Sequence, residues 1–394
     1  MNLFSLVLVN LGRNKLRTFL TLASVTVALF LFISLRGVLD TLHSSIEVGS
    51  RQRLITRNAI SLVFPMPQSY GNRIAAVPGV RSVGVQNWFG GQDPRGAQYF
   101  YPQFAVDESF YPIYRNDVEI VEASQPTVPA AVPEGADPKL AAYYSEQTAC
   151  VVGEKLMKKN GWKLGQTVTL SGTIYPGNWP LTIRAVYRAK NPAFGDETMF
   201  FQFKYLEQKG MGGSGRVGVY VLDLSDPERS AAVAKQVDGM FENSSAATRT
   251  ESEQAFQAGF VSMYGNIPFV LNVIGLAVVF AILGIAANTM MMSMRERTTE
   301  FGVLKTLGFT DGTVFTLVLI EAAIITVGGG VLGALLAKLI VTGASTGFLP
   351  PLTIYWSSVA LGIGIATLIG AISGLIPAFQ ASRLRIVDAL RRVD

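Results

Sequence analysis

Four long apolar runs constrain this sequence more than any other feature. A helix needs about 20 predominantly apolar residues to cross the hydrocarbon core of a bilayer, and each run reaches that length once its flanks are counted. The predicted spans are residues 18–38, 267–292, 314–341 and 357–377. Residues 39–266, between the first and second spans, contain no run long enough to cross. The sequence therefore predicts an α-helical membrane protein with four transmembrane helices and a large domain inserted between helices 1 and 2.

The composition agrees with a membrane protein. The chain has 394 residues, of which 49% are hydrophobic and only 15% are charged, whereas soluble domains average about 25% charged residues. Although the net charge is +5, residues 40–266 are nearly neutral, with 21 basic and 22 acidic side chains. The basic excess belongs to the segments that flank the spans, so nucleic-acid binding is not supported. With one Cys (Cys150) and one His (His43), the sequence predicts neither an internal disulfide, nor a metal site, nor a catalytic residue.

Basic residues cluster at three places along the chain and predict its orientation, because cytoplasmic loops carry an excess of Lys and Arg. The clusters are Arg13, Lys15 and Arg17; Arg295, Arg297 and Lys305; and Arg383, Arg385, Arg391 and Arg392. We therefore expect both termini in the cytoplasm, with residues 1–17 as an interfacial amphipathic helix and residues 378–394 as a cytoplasmic tail. The inserted domain and the linker at residues 342–356 then lie on the outer side.

The loop between the second and third spans, residues 293–313, carries more structure than a simple connection needs. Its core, MRERTTEFGVLKTLGFT, has apolar side chains at helical spacing and predicts a short amphipathic helix. Two interpretations are open: the helix lies on lipid headgroups, or it docks on a cytoplasmic partner. For docking we expect apolar side chains in a groove of the partner, charges at its rim and glycines for close approach or the final turn. These residues are Phe301, Leu304 and Leu307; Glu300 and Lys305; and Gly302 and Gly308.

Two kinds of residue inside the spans indicate close helix packing. Glu321 lies in the third span, where a carboxylate costs about 2.5–3.5 kcal/mol. We expect it to make a structural polar contact between helices, with a partner such as Asn288, rather than to serve as a substrate or proton site. Glycines four residues apart let helices approach closely, and the pairs are Gly329 with Gly333 and Gly370 with Gly374. Because four spans do not easily enclose a pathway, self-association is also expected.

The inserted domain has the alternation of short strands, helices and turns that is typical of an α/β or α+β fold. The pattern predicts strands at residues 59–64 and 80–88, a helix at residues 154–160 and a helical stalk at residues 41–56. Cys150 lies among apolar residues of a further predicted strand, so we interpret it as a buried apolar side chain.

Four stretches resemble the MacB/FtsX-like permeases of ABC transporters. They are EFGVLKTLG in the loop, NLGRNKLRTFLTL near the N-terminus, VVGEKLMKKNGWKLGQTVTL (more loosely) in the inserted domain, and PAFQASRLRIVDALR in the tail, with Ile386 where a Pro is usual. The resemblance implies that the loop is a coupling helix seated on a cytoplasmic ABC ATP-binding subunit. That subunit would hold ATP and Mg²⁺, because the chain has no G-x-x-x-x-G-K-[ST] motif and is not expected to be an enzyme itself.

The resemblance also implies a setting and a mode of action. It implies a permease in the bacterial inner membrane, in contact with lipid, working as a homodimer or as a heterodimer with a related permease. ATP-driven movement would reach the outer, periplasmic domain and serve export, extraction or mechanotransmission, and a periplasmic adaptor stays open as a further partner. The rival interpretation is a membrane sensor, whose outer domain binds a ligand and whose cytoplasmic loop recruits a regulator. A stand-alone ATPase encoded beside the gene favours the first, and a kinase favours the second.

Overall fold

The computed structural model of the protein describes residues 7, 9, 12–48, 50, 52–96, 99–190, 194–209, 215–263, 267–341, 352 and 354–385. The predicted linker, residues 342–356, lies outside the described residues except for residues 352 and 354–356. Residues 1–6, 8, 10 and 11 of the predicted N-terminal helix and residues 386–394 of the predicted tail also lie outside them.

Within these ranges the helices are α1 (Lys15–Val48), α2 (Tyr70–Ala75), α3 (Phe110–Ile113), α4 (Ala141–Ser145), α5 (Glu154–Asn160), α6 (Phe203–Lys209), α7 (Ser230–Phe241), α8 (Glu253–Met263), α9 (Ile267–Glu296), α10 (Thr298–Thr306), α11 (Asp311–Val341) and α12 (Trp356–Ser382). The strands are β1 (Arg53–Asn58), β2 (Met66–Pro67), β3 (Val80–Trp88), β4 (Gly91–Gln92), β5 (Gln103–Val106), β6 (Val118–Ala123), β7 (Ala149–Gly153), β8 (Thr167–Gly172), β9 (Gly177–Ala189), β10 (Met199–Gln202), β11 (Arg216–Val217), β12 (Val219–Leu224) and β13 (Thr248–Ser252). Short 3-10 turns lie at Pro138–Leu140 and Pro227–Arg229.

Four of the described helices are long and apolar enough to cross a membrane: residues Lys15–Thr41 of α1, together with α9, α11 and α12. A large mixed α/β region lies between the first and second of them. The predicted fold class is therefore confirmed. The chain divides into two compact units. One is a membrane unit that contains these spans. The other is formed by the described residues of Leu42–Gly265, and we call it the outer unit after its predicted position.

α1 is longer than a membrane span requires. Its 34 residues make a helix about 50 Å long at 1.5 Å per residue, against a hydrocarbon core about 30 Å thick. The helix ends at Val48, and β1 begins at Arg53. The predicted helical stalk at residues 41–56 is wrong in its last part, because β1 is hydrogen-bonded to β12 on one side and to β13 on the other.

Glycines allow α11 to lie directly against α1. A Cβ atom added at Gly333 would lie 2.7 Å from the carbonyl oxygen of Thr26 and 2.9 Å from the amide nitrogen of Phe30. A Cβ atom added at Gly329 would lie 2.7 Å from a side-chain carbon of Val25. Both approaches are too close for a real side chain, so the two helices touch at backbone distance.

A second pair of glycines does the same between α12 and α11. A Cβ atom at Gly370 would overlap the hydroxyl of Thr326, and one at Gly374 would lie 2.9 Å from the Cβ of Ala322. Both glycine pairs are therefore occupied by packing within the chain. Self-association through other surfaces stays a prediction.

The outer unit is built on one large sheet. In the part of the chain that the structure describes, eleven strands hydrogen-bond in the order β13-β1-β12-β3-β5-β10-β7-β9-β8-β4, with β6 also paired to β9. Most neighbours are antiparallel, but β7 runs parallel to β9 and β10 runs parallel to β5. Successive residues of β7 enter different cores, Cys150 and Val152 on one face and Ala149 and Val151 on the other. Both faces of the sheet are therefore covered.

The local predictions in this unit had mixed outcomes. The strand at residues 80–88 and the helix at residues 154–160 are confirmed as β3 and α5, and Cys150 is fully buried in β7. The predicted strand at residues 59–64 is wrong. These residues form a turn-containing loop after β1, in which the side chains of Ile60 and Val63 are 81% and 84% exposed. The apolar composition indicated a strand, but no described strand pairs with this segment.

Candidate coupling site

The loop between the second and third spans folds into the nine-residue helix α10, set between the ends of α9 and α11. Gly308 ends it with a φ of +95°, a left-handed backbone conformation that glycine adopts without strain. Thr310 then caps α11, because its hydroxyl oxygen accepts a 3.3 Å hydrogen bond from the amide of Thr313. Gly308 therefore marks the end of α10, as predicted for its final turn, and Thr310 marks the start of α11.

One side of α10 is built into the membrane unit. The Phe301 side chain is only 1% exposed and packs in a cluster with residues of α11 and α12, among them Val314, Leu317 and Ala378. Leu304 is half-buried against the same cluster, and Gly302 is buried beside it. This burial contradicts the expectation that Phe301 enters a groove of a partner, because the side chain already fills the core of its own chain.

Lys305 fastens α10 to the end of α12. Its ammonium donates to the carbonyl oxygens of Ser382 at 2.6 Å and Leu384 at 2.9 Å, and it lies 2.7 Å from a carboxylate oxygen of Asp311. The last carbonyls of a helix have no partner within the helix, and a basic side chain can satisfy them. The Lys305 side chain is only 9% exposed. In this chain it makes structural contacts, whereas the sequence predicted a charge at the rim of a partner's groove.

Arg297 joins α10 to α11. One guanidinium nitrogen donates to both carboxylate oxygens of Glu321, at 3.1 and 2.8 Å, and a second donates to Glu300 at 3.2 Å. The guanidinium also lies 5.2 Å from the centre of the Phe301 ring. The predicted structural contact of Glu321 therefore has Arg297 as its partner, whereas Asn288 is exposed. This pairing offsets the cost of a carboxylate within a span.

Two further ion pairs reach the start of the chain. Arg13 lies 2.5 Å from Glu300, and Arg17 donates to Glu296 at the end of α9. Arg13 is 67% exposed, so its pair adds at most about 1 kcal/mol of stability. We call the chain of pairs formed by Arg13, Glu300, Arg297 and Glu321 the loop network. It links the N-terminal segment, α10 and α11.

The other side of α10 is uncovered. Val303 is 45% exposed and Leu307, one turn later, is 71% exposed, while the backbone of Gly308 is also open. We call Val303 and Leu307 the exposed apolar pair. Of the residues predicted to contact a partner, Leu307 and Gly308 therefore lie on the open side and Phe301 and Lys305 on the covered side.

Arg297 is the residue that sequence reasoning missed as a member of the site. Its pairing with Glu300 could be predicted from the sequence, because the two residues are three positions apart and such a spacing brings side chains together on a helix. Its bond to Glu321 joins residues 24 positions apart, one directly before α10 and the other within α11, which no local pattern encodes. Among the described residues no group of His, Cys, Asp and Glu side chains is arranged to hold a metal ion.

Comparison with known proteins places this architecture in a family. The model of the MacB-like periplasmic core domain matches residues 18–240, and that of the FtsX-like permease C-terminal domain matches residues 272–386. The "Uncharacterized ABC transporter permease YknZ" of Bacillus subtilis is 38% identical over 106 residues, which cover 26% of each chain. The "Macrolide export ATP-binding/permease protein MacB" of Shewanella sp. (strain W3-18-1) is 29% identical over 234 residues, or 56% of this chain and 35% of the relative. The matched segments thus span about a quarter to a third of the length of these curated relatives.

A solved structure is also similar. The crystal structure of the periplasmic region of MacB from Actinobacillus actinomycetemcomitans aligns with 56% of this chain and 97% of its own, at 10% identity and a TM-score of 0.39. The four spans, the inserted domain and the two family matches define the class of the protein as a permease of ABC transporters. The chain belongs to the MacB/FtsX-like permease family, as the resemblance implied.

Proposed function

We propose that this chain couples ATP hydrolysis by a separate cytoplasmic subunit to movement of its own outer domain. The exposed apolar pair of α10 is the surface offered to that subunit, which holds the ATP and Mg²⁺. The permease works as a dimer in a bacterial inner membrane with both termini in the cytoplasm. The movement serves export, extraction or mechanotransmission.

The observation that carries this proposal is the two-sided character of α10. A helix that only rests on lipid headgroups needs no fixed connection to the spans. α10 is instead bonded to α12 through Lys305 and to α11 through Arg297, while Val303 and Leu307 are left open. A push on the open side is therefore delivered to membrane helices through short, buried bonds.

α1 offers the route from this site to the outer unit. At its inner end Arg17 is paired with Glu296 of α9, and near its outer end Asp40 accepts a hydrogen bond from Ser358 of α12. Between these bonds, and on to Val48, the helix is continuous. Because a helix with intact backbone hydrogen bonds is stiff along its axis, displacement at the inner end is passed along its length.

The test is to place a charge on the open side of α10. Leu307→Asp and Val303→Asp would each bury an unpaired carboxylate in an apolar contact, at a cost of about 2–7 kcal/mol for a polar group without a partner. We expect the ATP-binding subunit to be lost on co-purification and its permease-stimulated ATPase activity to disappear. Leu307→Met, which keeps the volume and apolar character, is the control and should bind normally.

Insertion and folding should be unchanged in all three variants, because both side chains already face solvent in the single chain. If Leu307→Asp and Val303→Asp keep full partner binding and stimulated activity, α10 is a lipid-surface helix and the coupling proposal fails.

A further inference from the structure

A buried ion cluster in the outer unit lies where the chain arrives from α1 and where it leaves towards α9. Arg53, the first residue of β1, donates from Nε to Glu253 at 2.7 Å and from Nη1 to Asp117 at 2.7 Å. The Arg53 side chain is 8% exposed, and its guanidinium lies 4.4 Å from the centre of the Tyr114 ring. We call Arg53, Tyr114, Asp117 and Glu253, with the amide of Ser50, the Arg53 node.

Glu253 is the second anchor of this node. One of its carboxylate oxygens accepts hydrogen bonds from the amide of Ser50 at 2.9 Å and from Arg53, and the other accepts from the Tyr114 hydroxyl at 2.8 Å. Glu253 is also the first residue of α8, where a carboxylate is favoured by the helix dipole. A single carboxylate therefore holds the connection from α1 to β1 against the start of α8.

The guanidinium of Arg53 keeps its positive charge at physiological pH. Burial by itself lowers the pKa of Arg53, but Glu253, Tyr114 and Asp117 raise that pKa overall. The cluster has one more acid than base, and both oxygens of Glu253 have donors: Ser50 and Arg53 donate to one, and Tyr114 donates to the other. Removing one partner from such a cluster leaves an uncompensated buried charge, so breaking these bonds is strongly destabilising.

The position of the node along the chain suggests what it does. Arg53 follows the end of α1 by five residues, and α8 is followed after three residues by α9. The strands that carry these connections, β1 and β13, are direct neighbours in the sheet. The two covalent routes between the membrane spans and the outer domain are thus fastened to each other at one buried point.

We propose that Arg53 is a positioning residue for coupling: it clamps the segment after α1 to α8, so that both connections to the membrane move as one body. This inference rests on the proposed function. A displacement carried by α1 is then shared with α8 instead of being absorbed by bending of the short segment between Val48 and Arg53.

The chain supplies a matched control on the same strand. Arg57 of β1 makes an ion pair with Glu251 of β13, with Nε 3.2 Å from the carboxylate. Both side chains are largely covered, at 17% and 16% exposure. It joins the same two strands, but its carboxylate partner lies within β13 and holds neither Ser50 nor the start of α8. Arg57→Met therefore removes a cross-strand ion pair and leaves the Arg53 node intact.

The experiment is hydrogen exchange, read by mass spectrometry, on the full-length permease with its ATP-binding subunit in lipid nanodiscs, with ADP or with ATP and vanadate. In the wild type and in Arg57→Met we expect the nucleotide to change exchange in residues 52–58 and in residues 248–263. In Arg53→Met the change in residues 248–263 should be lost while the change in α1 remains. Retention of both changes in Arg53→Met overturns the inference.

Two further variants keep the test decisive. The first variant is needed if Arg53→Met unfolds the outer domain, which would appear as fast exchange throughout β9. In that case a neutral triple variant, Arg53→Met with Asp117→Asn and Glu253→Gln, replaces it, and we expect the same loss of the change in residues 248–263.

The second variant replaces the ion pair by a disulfide. Because Leu54 faces Ser252 across the strands, positions 53 and 253 face each other next, and the variant Arg53→Cys with Glu253→Cys and Asp117→Asn places two thiols there. Oxidation should restore the shared change, and failure to restore it in the cross-linked protein overturns the inference. A wild-type protein with no nucleotide-dependent change in the outer domain refutes the proposed function itself.

Discussion

Arg297 connects the two parts of the loop network, since its guanidinium bonds Glu300 on α10 and Glu321 on α11. A guanidinium has five N–H donors in a fixed plane, so it can serve two carboxylates and still lie near the Phe301 ring. The side chains of Arg297 and Glu321 are 14% and 7% exposed. Solvent therefore screens this pair far less than the exposed pair of Arg13 and Glu300.

Glu321 gives a prediction that separates a structural role from a transport role. Glu321→Leu leaves Arg297 without its buried partner, and we expect the free energy of unfolding to fall by about 3–5 kcal/mol. Glu321→Gln keeps a carbonyl oxygen that accepts from Arg297, so it should lose less stability and keep most of the stimulated ATPase activity. Thermal unfolding of the purified protein and ATPase assays with the partner subunit measure the two effects. Lost activity in a stable, partner-bound Gln variant would indicate a proton or substrate role instead.

At the scale of elements, the contact between α1 and α11 depends on the absence of side chains. Gly333→Ala would force a methyl group to 2.7 Å from the Thr26 carbonyl oxygen, and overpacking of this kind costs about 1–3 kcal/mol. We expect a lower melting temperature and weaker coupling, because α1 is moved away from α11. The control is Gly364→Ala on α12, where a new Cβ meets no described atom within 4 Å. Equal stability of the two variants would show that α1 and α11 do not pack at backbone distance.

The elements differ in how much of them the sequence could predict. The spans and α10 could be predicted, because lipid imposes a length and composition and because the Gly308 stop lies within a few residues of the helix. The buried face of α10 could not, since Phe301 and Leu307 are both apolar and only the packing against α11 and α12 decides which is covered. The order of strands in the sheet could not be predicted from the sequence either. β1 pairs with β12, more than 150 positions away along the chain, and short strands carry no signal of such distant partners.

At the scale of the whole molecule, the three basic clusters come together. Arg13 and Arg17 pair with Glu300 and Glu296 beside the second cluster. Lys305 of the second cluster donates to Leu384, next to Arg383 and Arg385 of the third. The described residues of the three clusters therefore lie at one end of the membrane unit, as an even number of spans between them requires. A single orientation then satisfies the preference of Lys and Arg for the cytoplasm at all three.

This arrangement makes the orientation testable with reporters. A reporter that is active only outside the cytoplasm, such as a secreted phosphatase, should be active when fused after Gly195 in the outer unit or after Gly347 between the last two spans. It should be inactive when fused after Asp311 or after Asp394, and a cytoplasm-active fluorescent reporter at the same positions should give the reverse pattern. The physical reason is that moving any one cluster outward would carry several basic side chains across the bilayer against the positive-inside bias. Activity of the secreted reporter after Asp311 would put α10 outside the cytoplasm, beyond the reach of any ATP-binding subunit. Activity after Asp394 alone would place the tail apart from α10, in conflict with the bonds from Lys305 to Ser382 and Leu384.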